Sequence, residues 1–103
     1  MRRRLMALVA AVVAAGPVAA ADVEHGRALA EEHCARCHDV ADGGAMKTYP
    51  PSFDSISVFR SEDQIRARIM FPALHSPMPE WAMFLQGDEV DDVTAYILSL
   101  EGE

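Results

Sequence analysis

The stretch Cys34-Ala35-Arg36-Cys37-His38 decides how this chain folds, because it contains the only two cysteines of the sequence. In a helical turn, residues at positions i, i+3 and i+4 lie on one face. Both thiols and the imidazole of His38 are therefore expected to point to the same side. The pattern C-x-x-C-H is typical of covalent c-type haem attachment.

This motif therefore predicts one covalently bound haem c. Each thiol adds to a vinyl group at the edge of the macrocycle, so Cys34 and Cys37 are the predicted tethers. His38, one residue after the second cysteine, is placed to reach the haem iron from one side. We predict that His38 is an iron ligand.

Three other chemistries share part of the motif. A thioredoxin-like dithiol needs a βαβ surrounding, and the sequence contains no run with strand-like alternation. A structural zinc site needs a further ligand, for which His33 and His75 are candidates, but there is no second paired motif. A plain disulfide is chemically possible in an exported protein. The sequence context favours haem over all three.

The first 21 residues have the pattern of a secretory signal peptide. Arg2–Arg4 form a basic start, Leu5–Ala15 are all apolar, and small residues follow up to the predicted cleavage site after Ala20 or Ala21. The apolar run is shorter than the roughly 20 residues that span a bilayer. We therefore expect export to the periplasm, with no stable membrane insertion after cleavage of residues 1–21.

Residues 22–103 are predicted to form one domain. They carry six Lys and Arg against sixteen Asp and Glu, a net charge of −10 with the histidines neutral. Such a charge disfavours nucleic acid and anionic membranes as partners and favours redox proteins with a basic docking face. A domain this short barely supports an apolar core, so a cofactor is expected to contribute to its folding.

Two helices are predicted in the first two thirds of this domain. The first runs from about Val23 into the cysteine motif. The second begins at Ser61, because Ser61 and Gln64 have the spacing of a capping box. Pro72 ends this helix, since proline removes a backbone donor and clashes with the preceding turn.

A third helix is predicted from about Gly87 to Leu100, where apolar residues recur every three or four positions. The intervening residues 39–60 contain two glycines and two prolines, residues 72–86 contain three prolines, and both segments are predicted to be loops. Loops this long in a small domain suggest that they wrap a bound group. The predicted fold is therefore all-α, with three or more helices and long loops around one covalent haem.

Met78 is the predicted second axial ligand of the iron. It lies between Pro77 and Pro79, which restrict the backbone and stiffen the segment that presents the sulfur. A thioether is a soft neutral ligand that raises the reduction potential. His75 lies in the same segment and is the alternative ligand, which would give bis-histidine coordination at a lower potential.

Taken together, the chain resembles a class I cytochrome c of the small bacterial kind. Five segments carry the resemblance: Gly26-Arg27-Ala28-Leu29, the cysteine motif, Pro50-Pro51-Ser52-Phe53, Met78-Pro79-Glu80-Trp81 and the helix Val93–Leu100. It implies that the first and last helices cross where Gly26 meets Tyr96. It also implies electron transfer at a six-coordinate iron, without substrate turnover. The acidic charge departs from the basic docking face of the mitochondrial relatives.

Two other functions remain open at this point. The chain would have the same haem chemistry if it were a dedicated electron-accepting subunit of a periplasmic dehydrogenase. A haem-based sensor or peroxidase-like protein would need an open distal position, and the proline-flanked Met78 argues against one. The favoured prediction is a periplasmic one-electron carrier that is not an enzyme.

Overall fold

The computed structural model of the protein describes residues 20–44 and 49–101. Its helices are α1 (Val23–His33), α2 (Phe53–Phe59), α3 (Glu62–Met70), a short 3-10 helix (Trp81–Met83) and α4 (Gly87–Ser99). The described residues contain no β-strand, and the predicted all-α fold is confirmed. Apart from its last two residues, the predicted signal peptide lies outside the described residues.

Helices α1 and α4 cross at Gly26, as the resemblance implied. A Cβ atom on Gly26 would lie 2.0 Å from the backbone oxygen of Asp92 and 3.0 Å from Cβ of Tyr96. The helix axes can approach this closely only because residue 26 has no side chain. Leu29 and Ala30 of α1 are buried in the core next to this crossing.

Helix α3 begins as the sequence predicts and is joined to α4 by an arginine. The Ser61 hydroxyl accepts from the Gln64 amide, and the Gln64 side chain accepts from the Ser61 amide, which completes the predicted capping box. Arg66 then donates to Asp91 of α4 at 2.8 Å and to Glu62 at 3.0 Å. This arginine therefore fixes α3 against the start of α4.

Two helical segments lie where the sequence predicted only loops. Helix α2 occupies seven residues within 39–60, and the 3-10 helix occupies three residues within 72–86. Both are too short to show a hydrophobic period in the sequence. The Ser52 hydroxyl accepts from the Ser55 amide and caps α2, a local signal that the prediction did not use.

The core lies between the helices and includes residues from all four of them. Its buried apolar members are Leu29, Ala30, Val40, Phe53, Ile65, Ile69, Leu85, Val90, Val93, Tyr96, Ile97 and Leu100. Within residues 20–44 and 49–101, no helix combines the length and apolar character needed to cross a membrane.

Candidate functional site

The cysteine motif follows α1 directly as a continuation of helical turns. The Cys34 amide donates to the Ala30 carbonyl at 2.8 Å, and the Cys37 and His38 amides donate to the Cys34 carbonyl at 3.1 and 2.9 Å. Helix α1 thus ends at His33, slightly before the motif, although the backbone hydrogen bonds keep the helical spacing. The backbone of residues 34–38 therefore follows helical turns, the geometry on which the prediction for the three side chains rests.

The two cysteines have different surroundings. Cys34 is half-buried and packs against the apolar core, whereas Cys37 is exposed. Burial raises the pKa of the Cys34 thiol from 9.0 to about 11, because an apolar environment disfavours the thiolate. A neutral thioether suits this position better than a thiolate ligand for a metal ion would.

The imidazole of His38 is held by a backbone carbonyl. Its Nδ1 lies 2.7 Å from the carbonyl oxygen of Pro51. A carbonyl oxygen can only accept, so Nδ1 carries the proton and Nε2 keeps its lone pair. A second-shell partner of this kind fixes the tautomer and the ring orientation of a metal-binding histidine. This contact leaves Nε2 of His38 free for the iron bond that the sequence predicts.

Phe53 makes two further contacts between the segment that contains Pro51 and the residues at the end of the cysteine motif. Its amide donates to the Asp39 carbonyl at 2.9 Å, and its ring centroid lies 5.5 Å from that of His38. On its other side, the Phe53 ring lies 6.3 Å from the ring of Tyr96 in α4. Phe53 is buried. Its two ring contacts connect the His38 imidazole to α4.

The chain after His38 is anchored to α4 and to α2. The Tyr96 hydroxyl donates to the Val40 carbonyl at 2.6 Å. The amides of Gly43 and Gly44 donate to the carboxylate of Asp54 in α2. These bonds hold the residues that follow the motif against α2 and α4.

The segment carrying Met78 also packs against the core. Met78 and Trp81 are both half-buried and contact the core cluster. The Met78 amide donates to the Ser76 hydroxyl at 3.2 Å. The Trp81 ring lies 5.6 Å from the ring of His33, the residue before Cys34. The predicted distal segment therefore meets the end of α1 next to the cysteine motif.

The alternative ligand, His75, has a different environment. It is exposed and adopts a positive φ of 64°, whereas Met78 contacts the core that Cys34 also contacts. Of the predicted site residues, Cys34 and Met78 share this core, His38 touches its member Phe53, and Cys37 lies at the surface.

The described residues fit a large apolar prosthetic group. The exposed large apolar side chains are Val23, Tyr49, Val58, Phe59, Phe71, Leu74, Met83 and Phe84. All of them except Val23 belong to residues 49–84, and all of those except Phe71 lie in the two segments, 39–60 and 72–86, that were predicted to be loops around a bound group. Such exposure is unusual in a small soluble domain and is expected where a ligand covers the surface.

Three contacts of this site were missed by the sequence analysis. These are the Pro51 carbonyl on His38, the Phe53 ring beside the imidazole, and the His33–Trp81 pair. The resemblance identified the segment 50–53. It could not predict the carbonyl acceptor, because every residue type has a backbone carbonyl. The ring contacts depend on how distant segments pack.

Comparisons with known proteins identify the family of this chain. The family model described as Cytochrome c matches residues 23–101. Cytochrome c-552 of Bradyrhizobium diazoefficiens is 40% identical over 101 residues, which cover 94% of this chain and 93% of that protein. No solved structure matches the chain. The chain therefore belongs to the cytochrome c family, whose members are electron carriers that bind a covalent haem c.

Proposed function

We propose that this protein is a periplasmic one-electron carrier whose haem iron is coordinated by His38 and Met78. The hydrogen bond from His38 Nδ1 to the Pro51 carbonyl at 2.7 Å is the observation that carries this proposal most directly. It leaves Nε2 free and holds the ring in one orientation. The bound haem would supply the redox chemistry, and Cys34 and Cys37 would hold its macrocycle.

The environment of Met78 supports its role as the distal ligand. Its thioether belongs to a half-buried side chain on the core, whereas the side chain of His75 is exposed. A ligand that is already packed loses little conformational entropy when it binds. Rigid ligands on both sides also limit the rearrangement that accompanies electron transfer, because a bound thioether and imidazole change little between redox states.

The excess of acidic residues in this chain supports the proposal that its redox partner has a basic docking face. After Arg68 the sequence contains no Lys or Arg, although it contains seven Asp and Glu. A surface of this sign attracts a positively charged protein and speeds its association. We therefore propose that the electron donor or acceptor docks through a basic face.

The test is the visible spectrum of the exported protein, oxidised and reduced, before and after acid-acetone extraction. We expect the colour to survive extraction, because the haem is covalently bound. We also expect the weak long-wavelength charge-transfer band of methionine-bound ferric haem.

Surviving colour without that band would contradict Met78 as ligand and favour His75 or an open site. A colourless protein from a host competent for haem attachment would contradict the whole proposal. Rapid binding of CO to the native reduced protein would instead support a sensor or peroxidase-like function.

A further inference from the structure

The backbone nitrogen of Asp22 lies 2.7 Å from Oδ1 of the Asp92 carboxylate. Asp22 is the N-cap of α1, and its own side chain accepts from the His25 amide. Asp92 belongs to α4 and is only 9% exposed. The start of the first helix is thus bonded to a buried carboxylate of the last helix.

This nitrogen is also the atom that a signal peptidase would release. The segment Ala19-Ala20-Ala21 places alanine at both positions of an A-x-A cleavage site, and Asp22 follows it. Hydrolysis of the Ala21–Asp22 bond adds water across the amide. Ala21 then ends in a carboxylate, and the Asp22 nitrogen takes up a proton and becomes an ammonium.

We propose that signal-peptide cleavage occurs after Ala21, and that the new α-ammonium of Asp22 forms an ion pair with Asp92 that joins α1 to α4. The proposal rests on the export proposed above. After cleavage, the cation bound by the Asp92 carboxylate is the amino terminus of the mature chain. Before cleavage the same nitrogen is a neutral amide donor.

The surroundings of the Asp22 nitrogen favour a positive charge. In the uncleaved chain, Ala20, Ala21 and Asp22 line a groove between α1, α3 and α4. Its other polar lining residues are Glu62, Arg66, Asp88, Asp91 and Asp92. Arg66 already donates to Asp91 and Glu62. The carboxylates thus outnumber the single cation, and an ammonium would reduce the excess negative charge.

The ion pair also offsets an unfavourable interaction that signal-peptide cleavage creates at the start of α1. The amino end of a helix carries a partial positive charge, so an ammonium at the N-cap of α1 is unfavourable by itself. A buried carboxylate is likewise costly unless it is paired. His25 Nδ1 lies 2.7 Å from Oδ2 of Asp92, but its side chain is 47% exposed to solvent. The ammonium would give Asp92 a full charge partner on Oδ1.

The first measurement is the intact mass of the exported holoprotein. We expect a chain that begins at Asp22 and carries one haem. A chain that begins at Ala21 would overturn this inference while leaving the proposed electron carrier intact. A chain that keeps the leader would contradict the proposed export as well.

The second measurement tests the ion pair by moving the α-ammonium away from the Asp92 carboxylate. Inserting Gly-Ser-Gly-Ser between Ala21 and Asp22 leaves the Asp22 nitrogen as an amide after cleavage, with the ammonium four residues upstream. Charge-assisted hydrogen bonds contribute roughly twice as much as neutral ones. We therefore expect the insertion to raise the unfolding equilibrium constant of the holoprotein roughly fivefold.

The Asp92→Asn background provides the control for this insertion. There the insertion should change the unfolding constant by less than about twofold, because the carboxylate partner is absent. An equal effect in both backgrounds, or no effect in either, would overturn the ion pair. The haem spectrum should be unchanged in every variant, which separates this result from a failure of the proposed function.

An amine-reactive probe gives a readout that does not depend on the Asp92→Asn variant. After residue 21 the sequence contains one lysine, Lys47, so peptide mapping distinguishes the two amines. The α-amine should react several-fold more slowly in the native holoprotein than in the variant with the insertion, and Lys47 should react equally in both. Equal reaction of the α-amine would overturn the proposal.

Discussion

The ring of Phe53 lies between the rings of His38 and Tyr96, with its centroid 5.5 Å from that of His38. The same residue donates its amide to Asp39, next to the proposed iron ligand. Because Phe53 is only 4% exposed, it fills the space beside the imidazole and limits its rotation. The position of the proposed iron ligand His38 therefore depends on a core side chain as well as on the Pro51 carbonyl.

Replacing Phe53 by Ala should destabilise the holoprotein by about 3 to 5 kcal/mol, because the change leaves a cavity between His38 and Tyr96. The measurement is denaturant unfolding followed by the haem absorbance. Phe53→Leu is the matched control and should cost less than about 1.5 kcal/mol. Equal losses for both variants would contradict the cavity as the cause, because leucine refills most of the space that alanine leaves empty.

Replacing Met78 by Ala should lower the reduction potential by at least about 60 mV, a tenfold change in the equilibrium constant of a one-electron couple. The change would remove the proposed thioether ligand, which favours ferrous iron, and the open position should bind CO. Met70→Leu is the control, because Met70 belongs to α3 and packs against the core, and leucine keeps most of its volume. An unchanged potential in the Met78 variant would exclude Met78 as the ligand.

Replacing Gly26 by Ala should destabilise the protein by about 3 kcal/mol or more. The added Cβ would lie 2.0 Å from the Asp92 backbone oxygen, so α1 and α4 would have to separate. Gly87→Ala is the control, because its Cβ would meet no atom within 4 Å and alanine is the better helix former. A folded Gly26→Ala protein of unchanged stability would refute the close crossing.

The His25–Asp92 pair should make stability depend on pH. The hydrogen bond to Asp92 raises the pKa of His25 above its usual 6.5 in the folded state. A raised pKa stabilises the folded protein fully below pH 6.5, and this contribution is lost as the pH rises through the folded pKa.

This pH dependence can be measured by denaturant unfolding at a series of pH values from 5.5 to about 9. His25→Gln should remove the part of the pH dependence that begins near pH 6.5. His75→Gln should keep it, because His75 is exposed. Identical pH profiles for wild type and His25→Gln would contradict the role of the pair.

Replacing both Cys34 and Cys37 by Ala should leave a mostly unfolded chain without haem. The apolar side chains exposed between residues 49 and 84 would then lack the group that covers them. Far-ultraviolet circular dichroism measures the loss of helix. Each single variant should keep some haem and more helix. A stably folded, haem-free double variant would refute the idea that haem completes the core.

Several elements could be predicted from the sequence because local interactions specify them. The Ser61–Gln64 capping box starts α3, and the apolar stripe of residues 90–100 defines α4. The Gly26–Tyr96 crossing followed from the resemblance, not from residue pattern. Helix α2 was missed because seven residues without a clear period resemble a loop.

The sequence by itself determined the class of protein, since C-x-x-C-H places two thiols and an imidazole within five residues. Only the tertiary structure decided how that site is supported. His38 meets a carbonyl 13 residues away, and the Asp22 nitrogen meets a carboxylate 70 residues away. Such contacts depend on how the helices pack, which joins residues far apart in the sequence. They also use backbone atoms, which every residue type has in common. A pattern of residue types therefore cannot predict them.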